Sequence, residues 1–340
     1  MALIFFPKYH QEGPSSRYRT YKYLEYFKEK KLDYQYFPFF YNGYVRDLYK
    51  SDKSFVRVIT SYLKRLIKLF RVNKKNNFLV IEKELFPGIP YLIEKLFLKK
   101  GQYSIDYDDA VFLKYSKIPF LREKHIKLCK NAKFVTCGNK WYFKQLPDAN
   151  CYFLPTVIDT PCDNFKHVNT NQKLIICWIG TPSNINYLKD LVPVFRSLQN
   201  KGLKFKLRVI GCYLNDPDID IENLAWSEEK EFDYLRSSDI GIMPLFNSDW
   251  ENGKCGFKLL QYMSAKLPVI GSPSAANSEI IKHNKNGFLA KTHSEWEHYL
   301  SILYSNKELR INFGNAGFDL VSTDYSFSKW KKKYYSMLTK

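Results

Sequence analysis

Between Gly253 and Ser272 a glycine-punctuated loop, Gly253-Lys-Cys-Gly256, leads into a short helical pattern and then into the apolar run Pro268-Val-Ile270. A helix N-terminus at the mouth of a parallel sheet offers unpaired N–H groups and a partial positive charge, which suits a phosphate. Lys254 and Lys258 add two full charges, and Gly256 and Phe257 stand where the helix begins. If that helix starts early, Lys254, Lys258 and Gln261 share one face. The chemistry such residues point to is binding a phosphate.

Four other segments carry candidate chemistry. Pro7 to Arg19 follows the first apolar run and opens a helix. Gly13 permits unusual dihedrals, Ser15 or Ser16 can cap the helix, and Arg17 lies near its start. The loop is read either as a capped helix with solvated arginines or as a cover for an anionic ligand or acceptor. Asp106-Tyr-Asp-Asp-Ala110 ends a strand, with Glu82-Lys-Glu84 after the preceding one. Asp106 and Asp108 suit a metal, a general base, a sugar hydroxyl or a helix cap. Gly180, Thr181 and Ser183 form a second turn for phosphate. Trp226 and Ser227 form a third strand-to-helix turn, with Ser227 as N-cap and a backbone suited to a base edge. His10 is the one histidine placed near a site, and the six histidines lack metal spacing.

The elements that must position these residues alternate strand and helix, the pattern of doubly wound parallel sheets. Strands are predicted at 3–6, 34–37, 78–81, 103–107, 134–136 and 151–154, then at 174–179, 206–210, 224–226, 240–243, 268–270 and 287–290. Helices are predicted near 16–31, 53–72, 89–99, 120–130 and 139–145, then near 184–199, 228–236, 256–265, 276–283, 294–304 and 327–338. A polar, aperiodic stretch at 159–172 reads as a linker. This divides the chain into a first domain at 1–158 and a second at 173–324, with a C-terminal helix at 325–340 packing back on the first. Two such sheets place their carboxyl-end loops across a cleft.

The net charge of +19 implies an anionic partner. Residues 46–75 hold ten Lys or Arg against two Asp. On a helical projection Lys50, Lys53, Arg57, Lys64, Lys68 and Arg71 cluster within roughly 40° of one direction, and Arg65 is counted with Arg57, Lys64, Lys68 and Arg71 as membrane-facing. Phe55, Ile59, Tyr62, Leu63, Leu66 and Phe70 lie opposite. This helix is read as an ordinary surface helix, as one facing an anionic membrane, or as a nucleic-acid contact. No nucleic-acid-binding module is recognisable, so nucleic acid is not an expected partner. Seven cysteines without a C-x-x-C pair suggest a reducing compartment and no structural metal. No apolar run is long enough to cross a bilayer.

Taken together, these segments resemble the retaining glycosyltransferases of family 4, which have the GT-B fold. Gly13-Pro-Ser-Ser-Arg17 resembles the first loop, Tyr107-Asp-Asp-Ala110 an acidic strand end of one subgroup, and Pro155-Thr-Val-Ile-Asp159 the turn before the linker. Lys254-Cys-Gly-Phe-Lys258 with Pro268-Val-Ile270 resembles the donor motif. The family pattern of two glutamates eight positions apart is altered here, with Gly253 and Gln261 in their places.

The resemblance implies two Rossmann-like domains and transfer of a sugar from a nucleotide-diphosphate donor, UDP or GDP, to a glycan or lipid-linked acceptor. The donor would lie on Gly180, Thr181, Ser183, Trp226, Ser227, Gly256, Phe257 and Gln261, with Lys254 and Lys258 at the diphosphate. Asp106 or Asp108 would position the acceptor. No metal or other cofactor is implied, and the expected place is peripheral, on the inner face of a bacterial cytoplasmic membrane. Loss of both glutamates also fits a non-catalytic scaffold of the same architecture.

Overall fold

The computed structural model describes residues 2–49, 54–72, 77–159 and 173–339. The expected linker after Asp159, with Cys162, and Lys50 and Lys53 of the basic face lie outside the described residues. The chain divides into two compact units. One comprises Met1–Thr156, Gly253–Cys255 and Lys331–Lys340; the other comprises Val157–Asn252 and Gly256–Trp330.

The first unit is built on β1 (Ala2–Phe6), β2 (Tyr34–Tyr36), β3 (Asn77–Glu82), β4 (Tyr103–Tyr107), β5 (Phe134–Cys137) and β6 (Cys151–Phe153). All pair in parallel, in the order β2-β1-β3-β4-β5-β6. Such strands are covered on both faces, so their sequences are apolar runs without alternation; Leu3–Phe6 and Phe78–Ile81 are buried throughout. Tyr334 of the C-terminal helix Phe327–Thr339 meets Tyr23 edge-on at 4.9 Å within this unit.

The second unit is built on β7 (Leu174–Ile179), β8 (Phe205–Ile210), β9 (Ile221–Leu224), β10 (Ile240–Met243), β11 (Val269–Gly271) and β12 (Gly287–Leu289). Their order is β12-β11-β10-β7-β8-β9, again all parallel. Counted from β7, this is the Rossmann order 3-2-1-4-5-6, whose switch point falls between β7 and β10. In the first sheet it falls between β1 and β3. Loops after these strands are where ligands of such sheets bind.

β9 lies earlier than the expected 224–226, the short helices Tyr44–Tyr49 and Asp249–Asn252 were not expected, and three longer elements also differ from the sequence reading. The expected helix at 184–199 is two, Ile185–Lys189 and Val192–Asn200, the second opening on Pro193. The helix Lys307–Asp324 was not predicted. Gly314 and Gly317 weaken its signal, and both are there for packing: a Cβ on Gly314 would lie 2.0 Å from the Lys266 carbonyl oxygen.

The third difference is the basic helix, Phe55–Arg71, which turns to the core neither its basic nor its apolar face but the seam between them, with Tyr62 and Leu66 partly covered and Arg57, Lys64 and Arg71 exposed. Ser61, Arg65 and Leu69 are its buried positions, while Phe55 and Phe70 are 76% and 72% exposed. Val56, Ile59, Leu63 and Ile67 are exposed as well. Arg65 therefore does not face outward. Its guanidinium donates to the carbonyls of Phe37 (3.0 Å) and Pro7 (3.3 Å) and lies 4.6 Å over the Phe6 ring. It holds the chain after β1 and β2, a structural task.

Candidate active site

At the first unit's switch point a buried ionic cluster joins the loops after β1, β3 and β4. Glu82, the last residue of β3, accepts from Ser16 Oγ (2.6 Å), Ser15 Oγ (2.9 Å) and the Lys8 backbone N–H (3.0 Å). Burial raises the pKa of this carboxyl, opposed by Lys83. Lys83 follows at φ 67°, a left-handed conformation that costs a side-chain-bearing residue about 1 kcal/mol and marks functional sites. Its ammonium lies 2.8 Å from Asp108, 3.6 Å from Asp109 and 3.2 Å from Ser15 Oγ. Burial alone would raise Asp108, but Lys83 and Arg19 more than reverse this and hold it at about 2. Asp108 is thus a buried carboxylate. Asp109 beside it is 38% exposed.

Asp106 does not belong to the open part of this cluster. Arg19 donates through Nε to Oδ2 (2.8 Å) and through Nη2 to Oδ1, and Thr136 Oγ1 donates to Oδ1 at 2.5 Å. Arg19 is completed by the Leu154 carbonyl. Asp106 is therefore the counter-ion that lets an arginine be buried. Two further expectations change. Ser15 and Ser16 do not cap the helix that begins at Pro14; their hydroxyls serve Glu82 instead. Gly13 has an ordinary extended backbone (φ −82°), and the absence of a side chain matters because a Cβ would lie 2.4 Å from that of Tyr9.

In the second unit, the turn after β7 runs through Gly180, whose N–H bonds to the Ile210 carbonyl (2.9 Å). Gly211, at φ 89°, packs against the Gly180 carbonyl where a Cβ would intrude at 2.5 Å. Thr181 and Ser183 pair their hydroxyls at 2.9 Å. Ser227 caps the helix Glu228–Arg236 by accepting from the Lys230 N–H, as its position predicts. The helix Phe257–Ser264 starts from Gly256, left-handed at φ 68°. In its first turn Lys258 lies 4.6 Å over the ring of buried Trp178. That contact aims a cation at the carboxyl end of β7, close to a helix N-terminus.

Residues 173–306 match the family model described as Glycosyl transferases group 1. All of the matched residues but Gly253–Cys255 lie in the second unit. No curated protein matches the chain. Among solved structures, a mutant of S. aureus TarM in complex with Fondaparinux, alpha-GlcNAc-glycerol and UDP is similar at 15% identity and TM-score 0.60. The match covers 84% of this chain and 59% of that one. This chain thus spans less than two thirds of TarM. A glycosyltransferase from Rickettsia africae is similar at 14% identity and TM-score 0.67, covering 99% and 97%. HepE of Anabaena, solved with UDP and glucose, is similar at 8% identity and TM-score 0.68, covering 100% and 99%. At these identities the likeness concerns the fold, two doubly wound parallel-sheet domains of the GT-B glycosyltransferases.

Lys254, Lys258 and Gln261 do not form one helical face. The helix begins only at Phe257, and Gly253–Cys255 belong with the other unit, where the Lys254 carbonyl accepts from Asn139 Nδ2 at 2.6 Å. Gly256's left-handed cap separates the two lysines. Gln261 is buried and bonds to Glu231, which sequence reasoning passed over. Its signal was faint: a glutamate four residues after the N-cap reads as ordinary helix chemistry. Lys83 was named only within the segment Glu82-Lys-Glu84, since left-handed φ in a lysine has no sequence mark. Among the described residues no group of three His, Cys, Asp or Glu is placed to hold a metal.

Proposed function

We propose that the chain is a retaining, metal-independent glycosyltransferase that moves a sugar from a nucleotide-diphosphate donor to a glycan or lipid-linked acceptor in bacterial surface polysaccharide synthesis. The match of residues 173–306 to the group 1 glycosyl transferases carries this reading. The donor binds the second unit, its diphosphate at Lys258 and the N-terminus of the helix Phe257–Ser264. The C1–O bond to the diphosphate breaks, the acceptor oxygen bonds to C1 from the same face, and the hydroxyl proton passes to the departing phosphate oxygen. Lys258 acts where charge develops. Asp108, Asp109 and Lys83 hold the acceptor on the first unit. Neighbours solved with UDP make UDP-sugars the first donors to try, with GDP-sugars beside them.

The test is nucleotide release from these donors with an acceptor mixture. Loss of turnover in Lys258→Ala, with folding intact, is the expected outcome. Full activity in that variant removes Lys258 from the mechanism.

The enzyme works, in this reading, on the inner face of the cytoplasmic membrane. The helix Phe55–Arg71 supports it: an exposed apolar stripe, Phe55, Ile59, Leu63 and Phe70, is flanked by exposed Arg57, Lys64 and Arg71, with Lys68 partly covered. Phe70 meets Phe97 edge-on at 5.4 Å, beside exposed Leu96. Apolar insertion with cations at the headgroup level suits an anionic bilayer. Among the described residues no helix is long and apolar enough to cross a membrane. Sedimentation with anionic liposomes should be lost when Leu63 and Phe70 become Glu; unchanged sedimentation makes the helix merely structural.

A further inference from the structure

Gln261 is buried, and its amide is turned to another side chain. Nε2 donates to Glu231 Oε1 at 2.5 Å. The other carboxylate oxygen, Oε2, accepts from Trp226 Nε1, also at 2.5 Å. Glu231 lies in the first turn of the helix Glu228–Arg236, half-buried, held by two neutral N–H donors. It forms no ion pair with a cation among the described residues.

A carboxylate oxygen accepts at two positions. One on each oxygen is taken, so one remains on each, side by side. Two adjacent hydroxyls of a ribose present two O–H donors in the matching arrangement, and a bond from a hydroxyl to a carboxylate is among the stronger neutral-to-charged kind. A lone negative charge repels a diphosphate, so Glu231 suits the part of a nucleotide that carries hydroxyls and no charge. Trp226, 39% exposed, adds an aromatic surface beside it.

We propose that Glu231 binds the vicinal ribose diol of the nucleotide, and that Gln261 and Trp226 are positioning residues that fix its carboxylate. The carboxylate missing at 261 is thereby supplied from a different helix. This assignment rests on the reading of the second unit as a nucleotide-sugar site. It also reverses the expectation for Gln261: a glutamate there would place two carboxylates in contact and expel the diol.

The experiment is calorimetry at pH 8 of the full chain, Glu231→Gln and Gln261→Glu. The probes are UDP, GDP and their 2′,3′-dideoxy forms, and thermal unfolding serves as the folding control. For the nucleotide that binds, removing both hydroxyls should weaken wild-type affinity about tenfold to hundredfold, the range of hydrogen bonds to a charged group. Glu231→Gln should weaken the natural nucleotide similarly and abolish its advantage over the dideoxy form. Gln261→Glu should bind more weakly than wild type. Equal wild-type affinity for ribo and dideoxy forms overturns the assignment. So does Glu231→Gln that keeps both affinity and the dideoxy penalty, or Gln261→Glu that binds as tightly as wild type. Wild type that binds neither UDP nor GDP overturns the donor site itself and this assignment with it. Should Glu231→Gln fail to fold, the dideoxy comparison and Gln261→Glu still decide.

Discussion

Asp106 was a candidate acceptor residue, and its surroundings make it a counter-ion, so its replacement should cost stability first. At 2.8 Å and an effective dielectric of about 20, the attraction between Asp106 and Arg19 is about 6 kcal/mol before desolvation is subtracted. Asp106→Asn keeps the volume but leaves the Arg19 guanidinium buried and unneutralised, with the Leu154 carbonyl still beside it. Breaking buried pairs in this way costs about 3–5 kcal/mol. With a urea slope of about 2–3 kcal/mol/M, the midpoint of the first unit should fall by about 1–2.5 M. Asp106→Leu combined with Arg19→Met should recover most of the loss, because removing both partners leaves no orphaned charge. Urea unfolding of the wild type, the single and the double variant gives the answer. If Asp106→Asn unfolds within about 0.5 kcal/mol of wild type, well inside the cost of a broken buried pair, the counter-ion role is wrong. If it also loses turnover, Asp106 returns to the chemistry.

Three further outcomes follow from single residues. His125 is fully buried, and burial chiefly pulls its pKa from 6.5 to about 3, so at mildly acidic pH only the unfolded chain takes up its proton. Stability should therefore fall with pH below about 6.5, by about 1.4 kcal/mol between pH 7.5 and 5.5, and His125→Asn should lack this slope in chemical unfolding at the two pH values. Gly256→Ala must hold a left-handed φ of 68° with its methyl 2.5 Å from Ile280 Cδ1; thermal unfolding should show a loss of about 1–2 kcal/mol, and calorimetry weaker UDP binding. Arg65→Met should lower stability by about 1–3 kcal/mol, because the Phe37 and Pro7 carbonyls lose their donor, while liposome sedimentation stays as in wild type.

Both sheets were legible because parallel strands are buried on two faces and write themselves as short apolar runs between helical periods. Ser227 was legible because an N-cap is a local signal. The helix Lys307–Asp324 was not, since Gly314 and Gly317 exist to let it touch Lys266 and Met263, contacts that a local pattern does not contain. The placement of Arg65 on Phe55–Arg71 was not legible for a related reason. Sequence pattern put it with the outward cations, and the fold buries it against carbonyls supplied by Pro7 and Phe37, far away in sequence. Around the site the residue types at the strand ends were visible, but their pairings were not. Asp106 with Arg19, Lys83 with Asp108 and Gln261 with Glu231 each join segments 25 to 87 positions apart, which only the folded chain brings together.

Whether the second unit binds a nucleotide diphosphate at its sheet's carboxyl end is read most directly from a crystal structure grown with millimolar UDP, or GDP. The diphosphate is expected at Lys258 and the N-terminus of the helix Phe257–Ser264, with the ribose hydroxyls on Glu231. A nucleotide seated elsewhere, or none bound at that concentration, would contradict the donor site.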